Sequence, residues 1–218
     1  VIRQLLLLRH GEVASHRGDV PVTDAGLEAA IETGRRLGAH ADGVIRVISG
    51  ETRRTRDTAA AVAQGARERG AQVTEDGVAF ALRNPDLYLA GVRVDMVSTA
   101  DAFAIQIPDF RAESVARVAF FREWLEVDDR VGWWVAHDHP PGDAAGDVAA
   151  RIRAFAASLV DRDDPGALTV GITHSPVLRA CLVDATGSDP GEPAWLAGLR
   201  VEISPDRLVR FRPLPDAP

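Results

Sequence analysis

The run Gln4-Leu5-Leu6-Leu7-Leu8-Arg9-His10-Gly11-Glu12 sets an imidazole beside a guanidinium where an apolar stretch gives way to a loop. A histidine at such a junction serves as a structural hydrogen-bonder or as a nucleophile, and Arg9 is equally suited to an ion pair. Two further basic features share this character. Arg53, Arg54 and Arg56 come just after a second apolar run and its Ser49-Gly50, and His174 follows a third run at 168–172. Taken singly, the arginines read as a solvated helix face and His174, before Ser175-Pro176, as a helix-capping residue.

The elements that carry these residues decide whether they meet. The runs at 1–8, 44–48 and 168–172 are short, apolar and bounded by polar or glycine residues, the pattern of buried strands. A shorter run around Val73 adds a fourth. Between them lie helical patterns. One starts at Thr23, whose hydroxyl can cap the first turn, and continues to about Leu37 after a polar loop over 16–21. An alanine-rich one covers 52–69, and another covers 175–185. Val115, Val118, Phe121 and Leu125 follow helical spacing, as do Val148, Ile152, Phe155 and Leu159.

This alternation predicts an α/β fold, a three-layer sandwich with a largely parallel central sheet and helices on both faces. The stretch 77–141 fits it poorly. It carries Asn84-Pro85, Ile107-Pro108 and His139-Pro140-Pro141, and is expected to be a lid-like insertion in a single domain spanning 1–218. The end of the chain, 213–218, is expected to fray. In an open α/β sheet ligands bind beyond the carboxyl ends of the strands, so Arg9 and His10, Arg53 and Arg54, and His174 are predicted to converge at one edge.

Composition narrows the partners. The chain has 46% hydrophobic residues and a formal net charge of −7, which argues against a nucleic-acid surface, so phosphate recognition would have to be local. No stretch approaches the roughly 20 apolar residues of a membrane span, and the first run is too short for a signal peptide. The single cysteine, Cys181, falls among Val177, Leu178, Leu182 and Ala185 at helical spacing and reads as a core thiol in a cytoplasmic protein. His137 and His139 flank Asp138, but two histidines without further ligands give a polar loop rather than a metal site. Trp124 and Trp195 read as core, while Trp133 and Trp134 read either as core or as lining of a pocket. Oligomeric state leaves no trace.

The ordered set of motifs resembles the histidine phosphatase superfamily, which includes phosphoglycerate mutases. The match lies in Leu8-Arg9-His10-Gly11-Glu12, in Ser49 through Ala59, and in Gly171-Ile172-Thr173-His174-Ser175. Thr23-Asp24-Ala25-Gly26 and Asp147-Val148-Ala149-Ala150-Arg151-Ile152 add to it. The resemblance implies a phosphomonoester hydrolase needing neither metal nor cofactor and acting on a small phosphorylated metabolite. His10 would be the nucleophile, forming a phosphohistidine, and Arg9, Arg54 and His174 would hold the phosphoryl oxygens.

The departure from the family concerns the proton donor. Where mutase-like members carry Leu-Arg-Glu, this chain reads Leu82-Arg83-Asn84-Pro85-Asp86. Asp86 is the nearest substitute and would need burial to stay protonated. Glu51, Glu12 and Asp138 are further candidates. Alternatives to the hydrolase are a noncatalytic phospholigand-binding or regulatory protein, a protein using the same pocket without phosphate transfer, and a mutase-like phosphotransferase.

Overall fold

The computed structural model describes residues 3–15, 18–164 and 167–214. His16 and Arg17 of the expected polar loop lie outside these, as do the first two residues of the expected first strand and 215–218 of the expected tail. The chain begins with β1 (Arg3–Arg9), α1 (Asp24–Ala39), β2 (Ile45–Ser49), α2 (Arg53–Glu68) and β3 (Val73–Val78). It continues with the hairpin β4 (Leu87–Leu89) and β5 (Val92–Val94), then the short helices α3 (Ala100–Ala104), α4 (Ala112–Val115), α5 (Ala119–Glu126) and α6 (Arg130–Val135). It closes with α7 (Ala145–Ser158), β6 (Leu168–Thr173), α8 (Ser175–Thr186), β7 (Gly198–Ile203) and β8 (Val209–Pro213).

Six strands form one sheet in the order β3-β2-β6-β1-β7-β8. The first four are parallel, whereas β7 runs antiparallel to β1 and β8 antiparallel to β7. Side-chain alternation splits the core into two. Leu5, Leu7 and Ile48 enter a cluster with α7, α8 and the short helices, while Leu8, Ile45, Val47, Val170 and Ile172 pack against α1 and α2. Helices thus cover both faces, as a three-layer α/β sandwich requires.

On the second face α1 and α2 touch backbone to backbone. A Cβ at Gly34 would stand 2.1 Å from the Val62 carbonyl oxygen, and one at Gly65 1.9 Å from that of Ile31. Thr23 caps α1 by accepting from the Gly26 amide at 3.1 Å. Thr52 makes no such bond for α2; Asp19 accepts from the Arg53 amide instead, at 2.6 Å.

The stretch between β3 and α7 differs from its expected pattern in detail. The spacing of Val115, Val118, Phe121 and Leu125 suggests one helix, but the chain breaks it in two. Val118 is the extended residue capping α5 and is 38% exposed. The β4–β5 turn has Ala90 and Gly91 both at positive φ, the geometry of a tight two-residue hairpin. Phe103, Phe121, Trp124 and Trp134 from this stretch share the cluster of Leu5 and Leu7, so it is packed onto the sheet face. No described helix is long and apolar enough to cross a membrane.

Candidate active site

Parallel register brings the expected residues to one edge. Arg9 at the end of β1 pairs with Thr173 at the end of β6, and Ser49 at the end of β2 pairs with Ile172. The next residues therefore leave the sheet side by side. The His10 amide donates to the Thr173 carbonyl at 3.0 Å and the Gly50 amide to that of Ile172 at 2.9 Å. Arg9, His10, Arg54 and His174 all line one cavity of about 490 Å³.

His10 is 2% exposed and its orientation is set locally. Its Nδ1 lies 2.8 Å from the Gly11 carbonyl oxygen, and the Gly11 amide donates to Thr58 Oγ1 at 2.9 Å. A carbonyl only accepts, so Nδ1 carries the hydrogen and the lone pair of the neutral ring resides on Nε2. The His174 ring stands edge-on to His10, with centroids 5.5 Å apart. His174 occupies the N-cap position of α8 without using its side chain as a cap, and Pro176 sits in the first turn, where its missing N–H costs nothing.

The neighbouring arginines are separated by the helix. Arg54 is 7% exposed and lines the cavity, whereas Arg53 faces solvent and pairs with Asp57 at 3.5 Å. Arg54 donates to the Gly18 carbonyl at 3.3 Å; its Nε is buried with no hydrogen-bond partner, as is that of Arg9. Burial lowers the pKa of both guanidiniums, opposed at Arg54 by Asp95 and Asp19 and at Arg9 by Glu192. Buried cations with uncommitted donors form a receptacle for a tetrahedral anion.

Arg9 rests on a platform that sequence reasoning missed. Its guanidinium lies 3.6 Å over the Trp195 ring, donates to the Pro193 carbonyl, and pairs with Glu192 at 2.8 Å. Trp195, expected in the core, instead supports Arg9 and stands 5.3 Å from the His10 ring. Glu192 also accepts from Ser175 Oγ at 2.5 Å and lies 3.4 Å from Arg179. Arg179 is fully buried and is further bound by both oxygens of Asp129, at 2.7 Å each, and by Asp189. An arginine among Val177, Leu178, Ala180 and Cys181 is the one sequence signal that pointed to this cluster.

Asp86 requires a correction. It does not line the cavity, and its carboxyl is bound by Arg83, at 2.5 Å for the shortest contact, and by Arg93. Burial acts to raise its pKa, but the hydrogen bonds from the two arginines outweigh this and hold it below the usual carboxylate range. Such a carboxylate is no proton donor. Glu51 is engaged by Arg93 at 2.9 Å, Glu12 and Asp138 are exposed, and none of the three lines the cavity. The cavity does hold Asn84, 5% exposed, and three carboxyls not anticipated: Asp128, Asp129 and Glu192.

Met96, Val97, Trp124 and Val131 form an apolar wall. Trp124, expected as core, is both buried and part of this wall. His137 packs against Trp133 and Phe120, with ring centroids 4.7 and 5.2 Å away. Among the described residues no group of three or more potential metal ligands gathers.

Residues 5–77, which include Arg9, His10 and Arg54, match the model of the histidine phosphatase superfamily (branch 1). No curated protein sequence matches the chain. Among solved structures, the mycobacterial glucosyl-3-phosphoglycerate phosphatase is 19% identical, with a TM-score of 0.60 over 98% of this chain and 97% of that one. YhfR of Bacillus stearothermophilus is 19% identical, with a TM-score of 0.62 over 98% and 96%. A phosphoglycerate mutase from Bacillus anthracis is 15% identical, with a TM-score of 0.59 over 98% and 92%. At these identities the likeness establishes the fold. The chain thus carries the superfamily's sequence pattern over residues 5–77 and shares the fold of these structures over nearly its whole length.

Proposed function

We propose that the protein is a phosphomonoester hydrolase that works through a phosphohistidine at His10. The observation that carries this reading is the Nδ1–H bond from His10 to the Gly11 carbonyl, inside a pocket shared with Arg9, Arg54 and His174. It puts the ring lone pair on Nε2, the nitrogen that attacks phosphorus in line. Arg9 and Arg54 neutralise the equatorial oxygens as charge develops, and His174 at the start of α8 adds a donor where the helix favours an anion. These cations supply the charge stabilisation of the transferring phosphoryl group. Water then attacks phosphorus, the P–N bond breaks, and inorganic phosphate leaves.

The substrate class is a small phosphorylated metabolite, matched to a cavity of about 490 Å³. Hydrolysis is favoured over a mutase cycle because a mutase must hold a second phosphate, while beyond Arg9, Arg54 and the histidines the described residues of the cavity present one cation, Arg130, beside Asp128, Asp129 and an apolar wall. The buried Cys181, whose thiol pKa burial pushes up, suits a reducing cytoplasm.

The test uses p-nitrophenyl phosphate and an acid-labile, base-stable protein phosphate as readouts. Wild type shows both, and His10→Ala loses both, with turnover falling at least about a thousandfold. Undiminished turnover in His10→Ala removes the nucleophile assignment. Phosphate binding by wild type without turnover of any ester leaves a phospholigand-binding protein, the reading that Asn84 in the cavity would favour.

A further inference from the structure

We propose that this hydrolase is restricted to phosphomonoesters of acidic hydroxyl groups, phenols or enols on a largely apolar body, because the described residues of its cavity offer the leaving oxygen no proton. The inference rests on the hydrolase reading above. In the first step His10 Nε2 bonds to phosphorus while the P–O bond on the opposite side breaks, and its electron pair stays with the departing oxygen. A phenol, with a pKa near 10, leaves as its anion and is protonated by solvent afterwards. An aliphatic alkoxide is about as basic as hydroxide, whose parent water has a pKa near 16, and needs a proton as it leaves.

Among the described residues three carboxyls line the cavity. Both oxygens of Asp129 accept from Arg179 at 2.7 Å, and one also accepts from the Gly132 amide at 2.9 Å. The guanidinium holds this carboxyl below the usual range even though burial opposes it. Glu192 has Arg9 on one oxygen, and Ser175 and Arg179 on the other. Asp128 is exposed at the rim just before α6. Asn84 is buried in the wall, and its amide can bond to a leaving oxygen but cannot give up a proton at neutral pH. His174, its ring 5.5 Å from that of His10, is the residue assigned above to the phosphoryl oxygens.

The wall favours an apolar leaving group. Trp124 spends its indole N–H on the Val97 carbonyl at 2.8 Å, so what it offers the cavity is hydrocarbon. Met96 and Val131 extend the same surface, and Ser98 and Arg130 also line the cavity.

The experiment measures kcat/KM for aryl phosphates of graded leaving-group pKa, together with benzyl phosphate, whose body matches phenyl phosphate but whose leaving group is an aliphatic alcohol. The expected result is a steep fall with leaving-group pKa, with benzyl phosphate about 10²- to 10⁴-fold slower than p-nitrophenyl phosphate, the range that a general acid would otherwise recover. Asn84→Glu is expected to raise the ratio of benzyl to phenyl turnover. A flat series, with benzyl phosphate within tenfold of phenyl phosphate and phosphohistidine still trapped, overturns this inference alone; if Asp128→Asn then steepens the series, the donor is Asp128. No turnover of any ester overturns the hydrolase reading and this inference with it.

Discussion

A guanidinium and an ammonium carry the same charge but different shapes, and Arg54 is where the difference matters most. It reaches the cavity from the first turn of α2, is 7% exposed, and keeps its buried Nε–H unpartnered. A planar fork can grip two phosphoryl oxygens at once, whereas a lysine offers a point charge that must be desolvated. Arg54→Lys should therefore lower kcat/KM on p-nitrophenyl phosphate by about 10²- to 10³-fold, as loss of one preorganised donor does elsewhere. It should also weaken inhibition by inorganic phosphate. A variant within threefold of wild type on both readouts would remove Arg54 from the oxyanion cradle. Arg9, His10, Arg54 and His174 were legible in the sequence because each lies at or just after a strand end, and parallel register alone makes those ends neighbours. Glu192 and Trp195 were not, because they reach Arg9 from an irregular segment with no period to read. Asp86 was misread for a related reason: its partner Arg93 enters only when the β4–β5 hairpin folds back over it.

The elements that aim these side chains are held by contacts of two kinds, and α2 depends on the tighter one. It approaches α1 so closely at Gly34 and Gly65 that a Cβ at Gly65 would stand 1.9 Å from a backbone oxygen, which no rotamer change relieves. Alanine gains up to about 1 kcal/mol of helix propensity over glycine, but the clash forces the two backbones apart. Gly65→Ala should cost a net of about 1–3 kcal/mol, the usual range for overpacking. That lowers Tm by roughly 3–10 °C for a chain of this size. Thermal unfolding followed by circular dichroism checks it, and an unchanged Tm would mean that the helices are not in backbone contact. The parallel strands and the long helices were legible from apolar runs and 3.6-residue spacing. The helices α3 to α6 were not, being only four to eight residues long, too short for a period to register. β7 carried a readable signal, Leu199, Val201 and Ile203 alternating with Arg200 and Glu202, and its antiparallel pairing with β1 completes the sheet edge.

At the scale of the whole molecule, several parts are joined through aspartates whose pKa values lie below the ordinary range. Asp86 ties the segment after β3 to the β4–β5 hairpin, Asp129 ties α6 to α8, and Asp164 ties the loop before β6 to Arg46 of β2. At Asp86 and Asp164 burial alone would raise the value, and the neighbouring arginines more than reverse it; at Asp129 the hydrogen bonds from Arg179 are the largest influence. A lowered folded-state pKa means that the folded protein binds fewer protons than the unfolded chain, where aspartate titrates near 3.9. Stability from these pairs is therefore fully present above about pH 4 and is lost as pH falls through the lower folded values. The net charge of −7 acts in the opposite sense over a higher range, since the first protons taken up below neutrality relieve overall repulsion. The urea midpoint should thus change little between pH 7 and 5 and then fall steeply between pH 4 and 2. Asp86→Asn separates the two effects, because it removes one partly buried ion-paired carboxyl while changing the net charge by a single unit. This variant should be less stable than wild type at pH 7, and the gap should narrow as pH falls through 4, where wild type loses the same interaction. Urea titrations of both proteins at pH 7, 5, 4 and 3 measure the gap. If it stays constant across that range, the Arg83–Asp86–Arg93 contact contributes nothing that depends on the charge of Asp86.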